Sequence, residues 1–308
     1  MATTISGLVD GVPRLFPALA AAAVCAALAG APLAGTAISA VACLAMLVFG
    51  LPHGSLDLEL IRSRRGGGGG GIAALAALYL TVAAAMLTLW RLHPLTALAA
   101  FILIAIWHFA EDWEGVNLPL LEWGGAAALL ASPTLLNRAA LDTAFVALTG
   151  SSSGVVAADV LTLVAPVALM LAAVGIVLHW QEGRRGQSMG LAAAVAVMIV
   201  LPPVVGFALY FCVFHSPRHF SGALQSLSWT DARQWARVVV PLTLAGLGLA
   251  VVLFAVEWRP TFGDQIVAVS FMTLSIVTAP HMLAPRVVRA IDAWRLRRTG
   301  QARAASPA

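Results

Sequence analysis

The chain of 308 residues contains no lysine and few charges of any kind: 10% of its residues are charged and 60% are hydrophobic. A soluble domain carries about 25% charged residues, and a large one needs a polar stretch of on the order of 100 residues, which this sequence lacks. The net charge of +4 comes from arginine alone, and it indicates membrane topology rather than nucleic-acid binding. The composition therefore predicts a polytopic membrane protein.

Several sequence motifs that commonly mark binding or catalytic sites are also missing. The three cysteines, Cys25, Cys43 and Cys212, lie in apolar runs without CxxC spacing, which excludes a disulfide framework or a zinc ribbon. The glycine run at 66–71 has no Lys-Ser/Thr after it, so we interpret it as a flexible linker rather than a phosphate-binding loop. No nucleophile elbow, Ser-His-Asp pattern or dinucleotide fingerprint stands out. A bound metal is the remaining candidate.

The apolar runs predict an all-α fold, a polytopic integral membrane helical bundle. Because a helical span needs roughly 20 mostly apolar residues, we expect about 8–10 transmembrane helices in a single domain over 1–308. The motif-bearing core is expected at about 50–285, with a short cytoplasmic tail at 286–308 that is disordered after Arg298. Residues 138–150 are amphipathic at best and predict a surface helix or part of a loop. The expected spans are 15–32, 34–53, 72–90, 95–113, 117–136, 157–180, 187–201, 204–226, 237–256 and 264–284.

Arginine clusters at 62–65, 184–185 and 286–298 set the predicted orientation. The positive-inside rule places all three in the cytoplasm, so an even number of crossings must separate consecutive clusters. That condition holds if Pro202-Pro203 breaks the apolar stretch 187–226 into two crossings, as paired prolines can. We therefore expect a multi-pass protein of the cell (inner) membrane.

Five of the seven histidines lie in or at the ends of apolar segments, in four clusters at 52–57, 107–112, 215–219 and 280–282. An ionisable residue inside a membrane span is a functional-site hypothesis by default. In the orientation set by the arginines, all four clusters fall in the cytoplasmic half of the bilayer at a similar depth. The clusters are therefore predicted to converge on one site, and that site is predicted to bind a metal.

His215 and His219 are four residues apart, so on a helix they share a face and can reach one ion. His53 and His108 would complete a set of four histidine ligands. Imidazole suits Zn, Cu, Fe and Ni; with neutral nitrogen ligands alone, iron would stay Fe(II) with open positions for dioxygen. His281 is left open as a fifth ligand, a substrate-pocket group or a packed polar residue.

Carboxylates adjoin the predicted ligands. Asp57 lies four residues after His53, and Asp112 lies four residues after His108, with Glu111 beside it. A carboxylate that accepts the second ring N–H of a ligand histidine fixes its tautomer and orientation. We expect these three acids to support the ligands.

Other polar residues near the motifs have less specific predicted roles. Arg218 is expected to pair with one of the acids or to bind a polar group of the substrate. Tyr210 is expected to line the substrate pocket. His93 and His179 lie at loop edges without acidic neighbours in the predicted core, and we interpret them as interfacial.

The segments 49–57, 107–113, 210–219 and 280–282 together resemble the recurring motifs of the Brp/Blh family, the integral-membrane β-carotene 15,15'-dioxygenases of bacteria and archaea. The resemblance implies an enzyme that cleaves the central double bond of β-carotene with O2 to give two retinals. It also implies a non-haem iron, Fe(2+), held by His53, His108, His215 and His219, with His281 as a further site residue. The substrates would be β-carotene and O2, and the retinal could supply a rhodopsin.

Two alternatives stay open. A different membrane carotenoid or lipid oxygenase is one; two-iron hydroxylases and desaturases typically use more histidines, in HxxxH and HxxHH clusters, than the seven present here. A membrane metal transporter is the other, and it would need polar residues along a path through the bilayer. The polar motif residues instead gather at one predicted depth, which favours the oxygenase.

Overall fold

The computed structural model describes residues 5–56, 59–60, 69–227 and 232–304. Helices account for all the regular structure in these ranges, so the prediction of an all-α fold is confirmed. The α-helices are α1 Ile5–Leu28, α2 Thr36–Ala45, α3 Gly69–Leu92, α4 Pro94–Phe109, α5 Pro119–Ala131, α6 Arg138–Thr149, α7 Gly154–Gln181, α8 Arg185–Val200, α9 Pro203–Leu209, α10 Ser216–Leu227, α11 Ala232–Val256 and α12 Phe262–Ala304.

Six helical segments of the described chain are long and apolar enough to cross a membrane, and the prediction of a polytopic membrane bundle is confirmed. Two shorter apolar helices, Val12–Leu28 and Arg185–Val200, bring the set to eight, the lower end of the expected range. The six longer segments are Thr36–Leu56, Ala73–Leu92, Pro94–Trp113, Gly154–Gln181, Arg233–Val256 and Phe262–Leu283.

Two expected spans are not single long helices. The span expected at 117–136 contains only the 13-residue helix α5, which is followed by a 3-10 turn at Ser132–Thr134 with a proline in its first turn. The span expected at 204–226 is divided into α9, a π-helical segment at Tyr210–His215, and α10. The predicted break at Pro202-Pro203 is confirmed, since α8 ends at Val200 and α9 begins at Pro203.

Two segments are more helical than expected. The last helix, α12, continues to Ala304, through the segment after Arg298 that was predicted to be disordered. Of its six described residues, Gln301, Ala302, Arg303 and Ala304 are good helix formers. Within the glycine run at 66–71, residues 69–71 form the first turn of α3, because an established helix adds residues at little cost; residues 66–68 lie outside the described ranges.

Glycines allow α5 and α7 to pack closely around an indole ring. A Cβ at Gly124 would lie 2.5 Å from the side chain of Leu171 on α7, and a Cβ at Gly125 would collide with the ring of Trp113. Gly175 on α7 faces the same ring at van der Waals distance. Small residues let helix backbones approach inside a membrane, and here they position the segment that follows α4.

We expect Gly124→Val to destabilise the bundle by about 1–3 kcal/mol, the usual cost of inserting carbon atoms into a packed core. Thermal unfolding of the purified protein in detergent measures the effect. Gly248→Val is the matched control, because a Cβ at Gly248 meets no atom within 4 Å. Equal melting temperatures for the two variants would contradict the close packing of α5 on α7.

Candidate metal centre

Three histidines from different parts of the chain meet at one end of the bundle. His108 lies near the end of α4, His215 ends the π-helical segment, and His219 lies in the first turns of α10. One ring nitrogen from each lies within 4.8 Å of the others. His108 and His215 are buried, and the side chain of His219 is 22% exposed. The Nε2 atoms of His108 and His215 are 3.1 Å apart.

A buried carboxylate organises this cluster. Asp112 is 1% exposed, and its Oδ2 atom accepts hydrogen bonds from the Tyr210 hydroxyl at 2.6 Å and from His215 Nδ1 at 2.8 Å. An ionised carboxylate only accepts hydrogen bonds, so the His215 proton is held on Nδ1. The lone pair of His215 Nε2 then points toward His108.

The other oxygen and the backbone of Asp112 have further partners. Its Oδ1 atom lies 3.6 Å from His219 Nε2 and 3.9 Å from an Arg218 guanidinium nitrogen. The Gln187 side-chain amide donates to the carbonyl oxygen of Asp112 at 2.9 Å and to that of Glu114 at 3.1 Å. Arg218 also stacks over the Phe214 ring at 4.7 Å. The carboxylate is therefore held in one orientation from several sides.

The π-helical segment explains how Tyr210 and His215 reach the same oxygen atom. In an α-helix, residues five apart are separated by about 140° around the axis. The π-helix has more residues per turn and brings positions five apart close to one face. A single π-helical turn, Tyr210–His215, thereby presents both side chains to Asp112.

A second local distortion determines which histidine Asp112 contacts. The spacing of four residues led us to expect support for His108, but Asp112 bonds to His215. After Phe109 the chain tightens into a 3-10 turn at Ala110–Trp113, and this turn moves position 112 off the face occupied by His108. Glu111 is the acid nearest His108, with its Oε2 atom 3.6 Å from His108 Nδ1 and 3.8 Å from His219 Nδ1.

The first and last motifs also reach the cluster. The His281 ring lies edge-on to His108, with centroids 5.1 Å apart. Gly54 packs against His281, since a Cβ at Gly54 would lie 2.9 Å from the imidazole ring. The side chain of His53 and the whole of Asp57 lie outside the described residues, so their predicted roles remain predictions. The position of Gly54 nevertheless places the backbone of the first motif beside the histidines.

A second π-helical segment, Met46–Gly50, anchors that first motif. The Ser216 hydroxyl donates to the Phe49 carbonyl oxygen at 2.9 Å. The Phe211 ring fills the space that a side chain at Gly50 would need. π-Helical turns are frequent at functional sites, and two of them pack together here next to His215.

The spacing of His108 and His215 fits two ligands of one metal ion, and His219 lies close enough to be drawn in as a third. Metal–imidazole bonds of about 2.0–2.1 Å place neighbouring ligand atoms of one ion about 3 Å apart. The Nε2 separation of 3.1 Å between His108 and His215 matches this requirement. Since Asp112 keeps the proton on His215 Nδ1, the Nε2 lone pair is available to a cation. Imidazole ligands of this kind suit iron, zinc, copper or nickel.

Aromatic rings enclose the other side of His215. The Phe211 ring stacks on His215 with centroids 5.5 Å apart, and Phe109 meets it edge-on at 4.8 Å. Phe207 stacks in turn on Phe211 at 5.4 Å. The predicted site therefore has one polar side, built around Asp112, and one apolar side that excludes water.

Tyr210 and His179 lie in environments that differ from those the sequence suggested. The Tyr210 side chain is fully buried, and its hydroxyl donates a hydrogen bond to Asp112. The contact of Tyr210 with substrate remains a prediction. The interfacial interpretation of His179 is wrong, because it is fully buried with Nε2 3.2 Å from the Trp113 carbonyl oxygen. His93 is exposed at the start of α4, as expected.

Sequence reasoning missed the structural contributions of Gln187, Ser216 and Gly50. The amide of Gln187 fixes the turn that carries Asp112, but it lies 75 residues away along the chain. No local spacing connects the two residues. Gly50 and Ser216 stood inside the quoted motifs, and only the packing of the two π-helical segments shows what they do.

The fold and this cluster define a class: a helical membrane protein with buried histidines arranged so that they could hold a metal ion. The chain belongs to the beta-carotene 15,15'-dioxygenase family, whose model matches residues 44–289. The family resemblance expected from the motifs is thereby confirmed.

Two relatives are similar over most of their lengths. The beta-carotene 15,15'-dioxygenase of uncultured marine bacterium 66A03 is 27% identical over 256 residues, which cover 78% of this chain and 90% of the relative. The probable beta-carotene 15,15'-dioxygenase Blh of Halobacterium salinarum is 29% identical over 298 residues, which cover 83% of this chain and 86% of the relative. No solved structure gives a significant match.

We expect Asp112→Asn to weaken metal binding about 10–100-fold, the usual result of removing a carboxylate that supports a ligand histidine. The amide can present an N–H to His215 Nδ1 and so destabilise the required tautomer. Titration of the purified apoprotein with a divalent metal measures the affinity. Asp142→Asn is the control, because Asp142 bonds to Arg138, a pair remote from the histidines. Unchanged affinity in the Asp112 variant would contradict the proposed support of His215.

Proposed function

We propose that the chain is a membrane-embedded non-haem Fe(II) dioxygenase that cleaves the central 15,15' double bond of β-carotene with O2. One carbon–carbon double bond breaks and two carbon–oxygen double bonds form, so that one molecule of O2 is consumed and two retinals are released. Family membership and the cluster of His108, His215 and His219, of which the first two are buried, support this proposal. The metal-dependent part of the proposed function rests on this cluster of histidines.

We assign His108, His215 and His219 as iron ligands, with His53 as the fourth. The contact of Gly54 with His281, and of His281 with His108, supports the choice of His53. His281 then stands beside the ligands as a packing or pocket residue. When bound, iron would supply the site that activates O2.

The protein's own residues orient and protect this site. Asp112 holds the proton on His215 Nδ1, and the Tyr210 hydroxyl donates a second hydrogen bond to the same carboxylate oxygen. Arg218, at 3.9 Å, offsets part of the charge of the buried carboxylate, and Glu111 lies nearest to His108 and His219. Phe109 and Phe211 cover the apolar side of His215 and exclude water, which limits side reactions.

Location in a membrane suits the substrate. β-Carotene is a hydrocarbon that partitions into the bilayer, so a site within the helical bundle meets it where it dissolves. From the arginine clusters we propose the cell inner membrane and a site in its cytoplasmic half. Retinal released into the lipid would be available to a retinal-binding rhodopsin.

Expression in cells that accumulate β-carotene tests the reaction directly. Pigment extraction and chromatography should show loss of β-carotene and gain of retinal at about two molecules per carotene lost, the ratio that central cleavage requires. Cells carrying an empty vector are the control. Retained carotene without retinal, in cells that contain the inserted protein and iron, would contradict the proposed reaction and favour another substrate or a metal transporter.

We expect His219→Ala to abolish iron retention and retinal formation while the protein still inserts in the membrane, because one of three converging imidazoles is lost. Metal analysis of the purified variant and the same pigment assay measure the two effects. His93→Ala is the matched control, since His93 is exposed at the start of α4, far along the helix from His108. Full activity in the His219 variant would refute the ligand assignment.

A further inference from the structure

An apolar cavity of about 80 Å³ lies in the bundle on the side of His108 toward the start of α4. Residues from α4 to α9 and from α12 line it, and every lining side chain is apolar. Among them are Ala105, Ala144, Leu161, Met198, Phe207 and Phe271. The cavity is separate from the polar cluster around Asp112.

The lining and size of this cavity limit what it can hold. An ordered water needs two to four polar partners, and the lining side chains offer none. Apolar protein cavities stay dry and accept small apolar guests such as xenon or benzene. A ligand pocket for a molecule of drug size has a volume of about 300–1,000 Å³, so this cavity is too small for the end ring and chain of a carotene. A diatomic gas fits.

Three helices connect the cavity with the histidines. Ala105 precedes His108 by three residues on the same face of α4. Phe207 precedes His215 along the α9 and π-helical run, and Phe271 precedes His281 on α12. In each of these three runs, the residues that line the cavity come before the histidine in the sequence. The cavity thus begins about 5 Å from the cluster along α4, at a rise of about 1.5 Å per residue.

Two successive layers of aromatic rings separate the cavity from His215. Phe207 forms part of the cavity wall and contacts both Phe109 and Phe211. These two rings in turn contact His215. These three rings are buried, so a passage for a small guest requires local motion of packed side chains, which is slower than the rotamer changes of exposed residues.

We propose that this cavity binds dioxygen and delivers it to the metal centre past Phe207. The inference rests on the proposed function, in which O2 is the second substrate. Dioxygen is small and apolar, it concentrates in the hydrocarbon of the bilayer, and the cavity, which is partly open at the surface of the bundle, offers it an apolar site.

Steady-state kinetics test the delivery role. Ala144→Phe fills the cavity from α6, remote from the histidines, and should raise the KM for O2 about tenfold, which corresponds to a loss of about 1.4 kcal/mol. The KM for β-carotene and the iron content should not change. Ala140→Phe is the control, with an equal added volume at an exposed position of the same helix. A higher KM for β-carotene with an unchanged KM for O2 would overturn the proposal and assign the cavity to the carotene.

A binding measurement that needs no turnover separates this inference from the proposed function. Methionines carrying ¹³C-labelled methyl groups are observed by NMR under oxygen and under nitrogen, and the difference reports dissolved O2 near each methyl. Met198, on the cavity wall, should show a larger oxygen-induced relaxation than Met86, which is buried on α3 away from the cavity. Ala144→Phe should abolish the excess, and Leu161→Ala, which enlarges the cavity, should increase it.

Equal effects at Met198 and Met86 would overturn the proposal whether or not the protein cleaves carotene. An excess at Met198 in a protein without carotene cleavage would uphold gas binding and refute only the proposed reaction. If Ala144→Phe fails to fold, the comparison of Leu161→Ala with the wild type still decides the outcome, because no increase at Met198 would then contradict binding in the cavity.

Discussion

The burial of one negative charge, the Asp112 carboxylate, constrains the rest of the site. An ionised carboxylate away from water is costly unless it is paired and hydrogen-bonded, and inside a membrane bundle the partners must come from the protein. Asp112 obtains them from Tyr210 and His215 directly and from Arg218 and His219 at longer range. Each of these partners is thereby fixed in position, so satisfying the carboxylate also brings the imidazoles together.

Helical irregularity is the means by which these groups meet. A bundle of regular α-helices would place polar side chains at intervals of three or four residues along each helix. Here the 3-10 turn at Ala110–Trp113 turns Asp112 away from His108, and the π-helical turn at Tyr210–His215 brings two partners to one oxygen atom. Such turns form weaker backbone hydrogen-bond patterns than the α-helix. These turns make possible the side-chain contacts around Asp112 and the packing of Phe211 on Gly50, and those contacts compensate for the weaker backbone hydrogen bonds.

Much of the fold and part of the site could be predicted from the sequence. Apolar length and arginine placement predicted most of the spans and the break before Pro203, because both follow from the cost of polar groups in hydrocarbon. The convergence of His108, His215 and His219 followed from their common depth. The bond between Asp112 and His215 could not be predicted, since the spacing of four residues assumes an α-helix where the chain is 3-10. The fixing of Asp112 by Gln187 joins residues 75 positions apart, and only the packing of α8 against the turn after α4 creates it.

The two ends of the site differ in polarity. Glu111 and His219 are partly exposed, with side chains 30% and 22% accessible, so a hydrated cation can reach the imidazoles from this side. It could not reach them through the apolar cavity, because an ion loses its hydration there and finds no ligand. Dioxygen and a hydrocarbon, in contrast to a cation, favour apolar surroundings over water. The rings of Phe109, Phe207 and Phe211 stand between the two environments and separate the polar side from the apolar cavity.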